Sequence, residues 1–309
     1  MKKFIILAMA AILSATAVSA QDMAEATATA QAANESLTAG DLVKALEGFE
    51  NALSMAELCG GEGIDLVGTC QGIIPSIMLS IGKDYIKAEK YADAISFLNK
   101  TVTRAQELQN SEVLKDAKEL IPQIFMQEAN DFMKARNFEG ALSNYTKALE
   151  LDPKNGKLAM MLAMAHQSLG HIAEADSTFR LAAENGQGKQ ALKRLANMYL
   201  KLSQNSLKTG KFQDALDFAV KSNESLQSAN AFKLAASAAM KLNDIKKAVD
   251  FYEEYLTVSP NAKDKSDIIY TIAALSQKSG DKAKAKEFYG KLLADPKYGA
   301  SVKALFEAL

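Results

Sequence analysis

Residues 137–153 read NFEGALSNYTKALELDP. Phe138, Ala141, Tyr145 and Ala148 stand three or four positions apart, so a single helix carries them as one apolar stripe. Pro153 ends that helix, because proline has no backbone N–H and its ring clashes with the preceding turn. The alanines on the stripe allow a second helix to approach closely, and the aromatics fill the space beside it.

The same arrangement returns along the chain. Aligned on the first small residue, it gives Ala45, Ala94, Ala141, Ala175, Ala215, Ala248 and Ala285, at intervals of 49, 47, 34, 40, 33 and 37. Three positions earlier stand Leu42, Tyr91, Phe138, Ile172, Phe212 and Ile245, with Lys282 the exception. Four positions later stand Phe49, Leu98, Tyr145, Phe179, Ala219, Tyr252 and Tyr289. Gly40, Gly170, Gly210, Asn243 and Gly280 supply a turn that ends the preceding helix in a left-handed conformation, while Glu89 and Arg136 hold that place in the second and third units.

This pattern resembles the tetratricopeptide repeat family, whose unit is near 34 residues. Gly82 and Tyr85 also match the family's first-helix glycine and tyrosine. The resemblance implies an all-α fold: a right-handed superhelical solenoid of about seven helix pairs over residues 21–309. The first half, 24–153, has longer units, and the second, 154–296, has units nearer the family period. Val302, Leu305, Phe306 and Leu309 sit at helical spacing in 298–309, which is expected to cap the exposed end of the array.

The long units share a cause. IIPSIMLSIGKDYIKAEKYADAIS from Ile73 realigns with LIPQIFMQEANDFMKARNFEGALS from Leu120, and each has extra helical sequence before its proline. Two outcomes are open: long first helices kinked at Pro75 and Pro122, or a short separate helix before each proline. Ser111 with Glu112 reads as a helix start.

Lys2 and Lys3, the apolar run from Phe4 to Leu13, and Val18-Ser19-Ala20 make a secretory signal peptide over residues 1–20, with cleavage expected after Ala20. The expected location is the periplasm, outer envelope or exterior of a Gram-negative bacterium. Cleavage leaves 34 Lys and Arg against 37 Asp and Glu, a net charge of −3. A mixed, nearly neutral chain is not a general binder of nucleic acid or anionic membranes. No transmembrane segment is expected in the mature chain. In an exported protein Cys59 and Cys70, so close together, are expected to form a disulfide; the other reading is two buried free thiols.

No catalytic or metal-binding constellation stands out. His166 and His171 are five apart and off a common helical face, and no nucleotide-binding glycine motif follows a strand. The reading is a non-enzymatic interaction scaffold without cofactor or metal, binding a protein or peptide. An enzyme subunit and a structural spacer are the alternatives.

The resemblance also implies where a partner would lie, on the first-helix residues that line the concave face. Carried over, these are Met126, Asn130 and Met133, then Met160, Met164 and Gln167, then Asn197, Leu200, Gln204 and Leu207. Some relatives hold a partner's terminal carboxylate with lysines and asparagines here. Met126 stands where such a lysine would be, so no carboxylate clamp is expected. The face reads as rich in amides and methionine with few charges, suited to apolar anchors and to binding that depends weakly on salt. The methionines could equally be packing between adjacent first helices.

Overall fold

The structure is a computed structural model that describes residues 20–309, with side chains from Asp22 onward. Every regular element among the described residues is helical. The signal-peptide reading falls outside them, except that the backbone of Ala20 begins the first helix. The chain divides into two compact units, Met1–Pro153 and Lys154–Leu309.

The first unit holds three helix pairs: α1 (Ala20–Ala39) with α2 (Leu42–Leu58), α3 (Ile64–Lys87) with α4 (Tyr91–Glu107), and α5 (Ser111–Lys134) with α6 (Phe138–Leu151). The aligned alanines Ala45, Ala94 and Ala141 are fully buried, as are Phe49 and Leu98. α1 is a bland Ala/Thr run, yet it packs because both sides are small: a Cβ added at Gly48 would lie 2.7 Å from the Ala33 Cβ. The turns without glycine adopt the left-handed conformation anyway, with φ of 57° at Glu89, 53° at Gln109 and 59° at Arg136.

Both prolines sit inside continuous helices. α3 runs through Pro75 and α5 through Pro122, each for 24 residues, so no separate short helix precedes either proline. Beside Pro75, the Gly72 carbonyl accepts from Ser76 Oγ and from Asn110 Nδ2, both at 3.3 Å. Asn110 also caps α5, accepting from the Val113 N–H at 3.1 Å, and the helix starts at Ser111 as expected.

α3 bears on the expectation that the mature chain has no transmembrane segment. With its leading turn, Gly60–Lys87 is, by length and composition alone, long and apolar enough to cross a membrane. In the fold it is a core helix, burying Leu66, Ile73, Ile74, Ile77 and Ile81. The expected Cys59–Cys70 disulfide is not formed, and both cysteines are free. Cys59 caps the C-terminus of α2 and its thiol donates to the Met55 carbonyl at 3.3 Å. Cys70 is fully buried in the core around α3, which pushes its thiol up to about 11.

The second unit continues the pattern: α7 (Gly156–Leu169) with α8 (Ile172–Ala182), α9 (Gly188–Lys208) with α10 (Phe212–Ser225), α11 (Ala229–Lys241) with α12 (Ile245–Val258), and α13 (Lys265–Ser279) with α14 (Lys282–Gly290). The 40-residue interval comes from a kinked turn, Ala183–Gln187, in which Asn185 and Gly186 leave helical geometry, and from the 21 residues of α9. The pair with Ala219 in place of an aromatic closes by polar contacts. Buried Ser203 and Ser222 donate across the pair to the carbonyls of Ala215 and Ala196, at 2.7 and 2.9 Å.

α15 (Gly299–Glu307) is the cap, with Val302 fully buried. The segment before it is tied to α13. Lys297 Nζ lies 2.6 Å from Asp267 Oδ1, Tyr298 Oη donates to the same oxygen at 2.8 Å, and Ser266 Oγ donates to Asp295 at 2.5 Å. Lys297, and then Tyr298, hold Asp267 below the usual carboxylate range; Ser266 does the same for Asp295. A depressed carboxylate stabilises above its unfolded pKa and loses that contribution as pH falls through the folded value. The protection of α15 amides, relative to their intrinsic exchange rate, is therefore expected to fall as pH drops below about 4, the ordinary carboxylate range. A pH series of hydrogen-exchange measurements checks this; constant protection down to pH 3 would mean that apolar packing alone holds the cap.

Candidate partner-binding face

On α5, Met126, Asn130 and Met133 form one stripe at i, i+4 and i+7, all half-buried. Asn130 is fixed from behind: Tyr145 Oη on α6 donates to its Oδ1 at 2.6 Å. Burial pushes the Tyr145 phenol up to about 12, so it stays protonated and a donor at neutral pH. Asn144 Nδ2 likewise donates to Glu128 at 2.7 Å. These bonds lock the orientation of α5 against α6 and leave the Asn130 amide hydrogens as that side chain's remaining donors.

On α7, Met160, Met164 and Gln167 repeat the i, i+4, i+7 stripe, again half-buried. On α9, Asn197 and Gln204 are exposed, while Leu200 and Leu207 are half-buried. Leu207 packs against the buried cluster of Ala215, Leu216 and Ala219, so part of its surface serves the helix pair. None of the four groove methionines is a core residue, in contrast to the buried Met78 and Met198.

The expectation of few charges is corrected on α9. Lys193, Lys201 and Lys208 are exposed on the same stripe as Asn197 and Gln204. The family's groove positions fall to one side of that stripe's centre, so a reading confined to them passes over the cations. The signal was present in the sequence: 188–208 contains five Lys or Arg, at 189, 193, 194, 201 and 208, and no acid.

The C-terminal end of this face is occupied by the chain itself. Asp267 is held as described, and Tyr270 stacks on Tyr298 with ring centroids 4.8 Å apart. Nearby, Lys233 and Asp264 form an ion pair, and Tyr255 Oη donates to Asp264 at 2.5 Å. The Lys233 ammonium, and then Tyr255, hold the Asp264 carboxyl below its usual range. The open part of the second unit's first-helix layer is therefore α7, α9 and α11.

His166 and His171 come together despite their spacing, because the turn at Gly170 folds His171 back to a ring distance of 5.8 Å. The His166 Nδ1 is buried without a hydrogen-bond partner, and desolvation lowers its pKa. Among the described residues no three His, Cys, Asp or Glu side chains cluster as a metal would require.

Residues 132–199 and 200–263 each match a family model described as Tetratricopeptide repeat. No curated protein matches the chain. Among solved structures it is similar to the MamA protein, at 18% identity over 59% of this chain and 95% of that one, with a TM-score of 0.33. It is also similar to PilW, a type IV pilus biogenesis factor, at 16% identity over 75% of this chain and 98% of that one, with a TM-score of 0.32. A third is the TPR domain of P58(IPK), at 14% identity over 92% of this chain and 97% of that one, with a TM-score of 0.27.

Proposed function

Because the chain belongs to the tetratricopeptide repeat family, we propose that it is an interaction scaffold that holds a peptide segment of a protein partner against its first-helix faces. One observation carries this reading. Side chains at the family's groove positions are partly accessible and pair methionine with amides, as in the α7 stripe of Met160, Met164 and Gln167. Methionine adapts to varied apolar side chains, and an amide can both donate to and accept from a peptide backbone.

The reading extends to location. The basic start, apolar run and Val18-Ser19-Ala20 support export to the periplasm or outer envelope. An exported protein whose intact mass begins at Gln21 is the expected result; one retaining Met1 contradicts export.

Met133→Lys and Met164→Lys, combined, test the first-helix faces of the two units, one substitution in each, in a crosslinking pull-down from the envelope fraction. Lysine can keep its stem on the half-buried site and its ammonium in water, so the fold is expected to survive within about 1 kcal/mol. Loss of the captured partner from a folded variant is the expected result. Undiminished capture by the folded variant contradicts the proposal.

A further inference from the structure

Charge is sorted between the two helix layers in the first three pairs of the second unit; the fourth pair, where α13 carries Asp267 and α14 carries three Lys against one Glu, does not share the sorting. The Lys and Arg residues of α7, α9 and α11 are Lys157, the five on α9, and Lys233 and Lys241, and these three helices contain no Asp or Glu. On α8, α10 and α12, Asp and Glu outnumber Lys and Arg two to one. The whole chain is nearly neutral at −1, so this is a local separation and not a general basicity.

The five cations of α9 are all exposed, and none makes an ion pair among the described residues. At 100° per residue, Lys193, Lys201, Gln204 and Lys208 all lie within about 40° of Asn197, on a ridge about 22 Å long. Lys208, in the last turn, suits the negative end of the helix dipole, but the cations at the other end do not. Lys189 sits in the first turn, at the positive end of the helix dipole, and Lys189 and Lys193 are like charges at i,i+4.

We propose that the α9 ridge docks an acidic segment of the partner polypeptide, with several Asp or Glu side chains within about seven extended residues at ~3.4 Å each. This rests on the scaffold reading and names the chemistry of its partner. The interleaved amides serve the peptide backbone while the cations meet its carboxylates. Single-stranded nucleic acid is disfavoured because the ridge offers no stacking platform: Tyr199 and Phe232 are buried and α7 has no Phe, Tyr or Trp. An anionic membrane is disfavoured because the exposed stripe has no apolar side chain to insert.

The test uses the full purified chain and three fluorescent probes: a Glu-rich 14-residue peptide, its Gln counterpart, and an oligothymidine of equal charge. The Glu peptide is expected to bind at least tenfold more tightly than the Gln peptide in 50 mM salt, and to lose at least fivefold by 200 mM. Lys193→Gln with Lys201→Gln should remove at least tenfold of the Glu-peptide affinity. The control Lys118→Gln with Lys246→Gln should change it less than twofold, and circular dichroism shows that both variants stay folded. Failure of the Glu peptide to bind, equal binding of the Gln peptide, or an oligothymidine that binds as tightly as the Glu peptide overturns the proposal. The scaffold reading is read separately: a partner crosslinked in the groove whose capture ignores the α9 variant leaves that reading standing while the acidic-segment proposal falls.

Discussion

Phe179→Ala is expected to destabilise the second unit by about 3–5 kcal/mol, the usual cost of removing a fully buried phenylalanine side chain. Phe179 is the aromatic of α8, a helix packed against α7 on one side and α9 on the other. Neither neighbour can close the void without leaving its own pair, so relaxation should recover little of the loss. In a stack where each pair meets mainly its neighbours, the damage should stay local. Hydrogen exchange is expected to rise most in α7 to α10 and least in α13 to α15. A uniform rise across the second unit would contradict this neighbour-by-neighbour stability.

Gly156→Ala is expected to cost about 1–3 kcal/mol or more, as overpacking of a tight site does. A Cβ at Gly156 would lie 2.1 Å from the Asn185 carbonyl oxygen and 3.0 Å from that of Ala182. Both are backbone atoms, so no rotamer change relieves the clash. The kinked turn Ala183–Gln187 would have to move, and the entry to α9 with it. Gly170→Ala is the matched comparison. It has open space around it but a φ of 78°, so its cost of about 1–2 kcal/mol is backbone strain alone. Chemical denaturation of both variants measures the difference; a smaller loss at Gly156 than at Gly170 would show that the turn yields easily.

Much of the fold was legible because it follows from periodicity. Alanine, aromatic and turn residue recur at helical offsets, and those offsets dictate which helices pair. The turns at Glu89 and Arg136 were located by register alone, since their residues give no left-handed signal. The fate of Pro75 and Pro122 was not legible. A proline permits either a break or a continuous helix, and the surrounding packing decides. The disulfide was misread for a related reason. Sequence distance between Cys59 and Cys70 says nothing about direction: one thiol turns back on its own helix and the other faces the core. The candidate face was legible as positions but not as a surface. Choosing only the family's groove positions found Asn197 and Gln204 and passed over Lys193, Lys201 and Lys208 beside them.

That the first-helix layer receives the partner is tested most directly by position-resolved photocrosslinking. A photoreactive residue is placed singly at Met164 on α7, at Gln204 on α9 and, as the opposing site, at the exposed Asp217 on α10. Partner adducts from Met164 and Gln204, with none from Asp217, are the predicted result. Adducts from Asp217 with none from the two first-helix sites would contradict it.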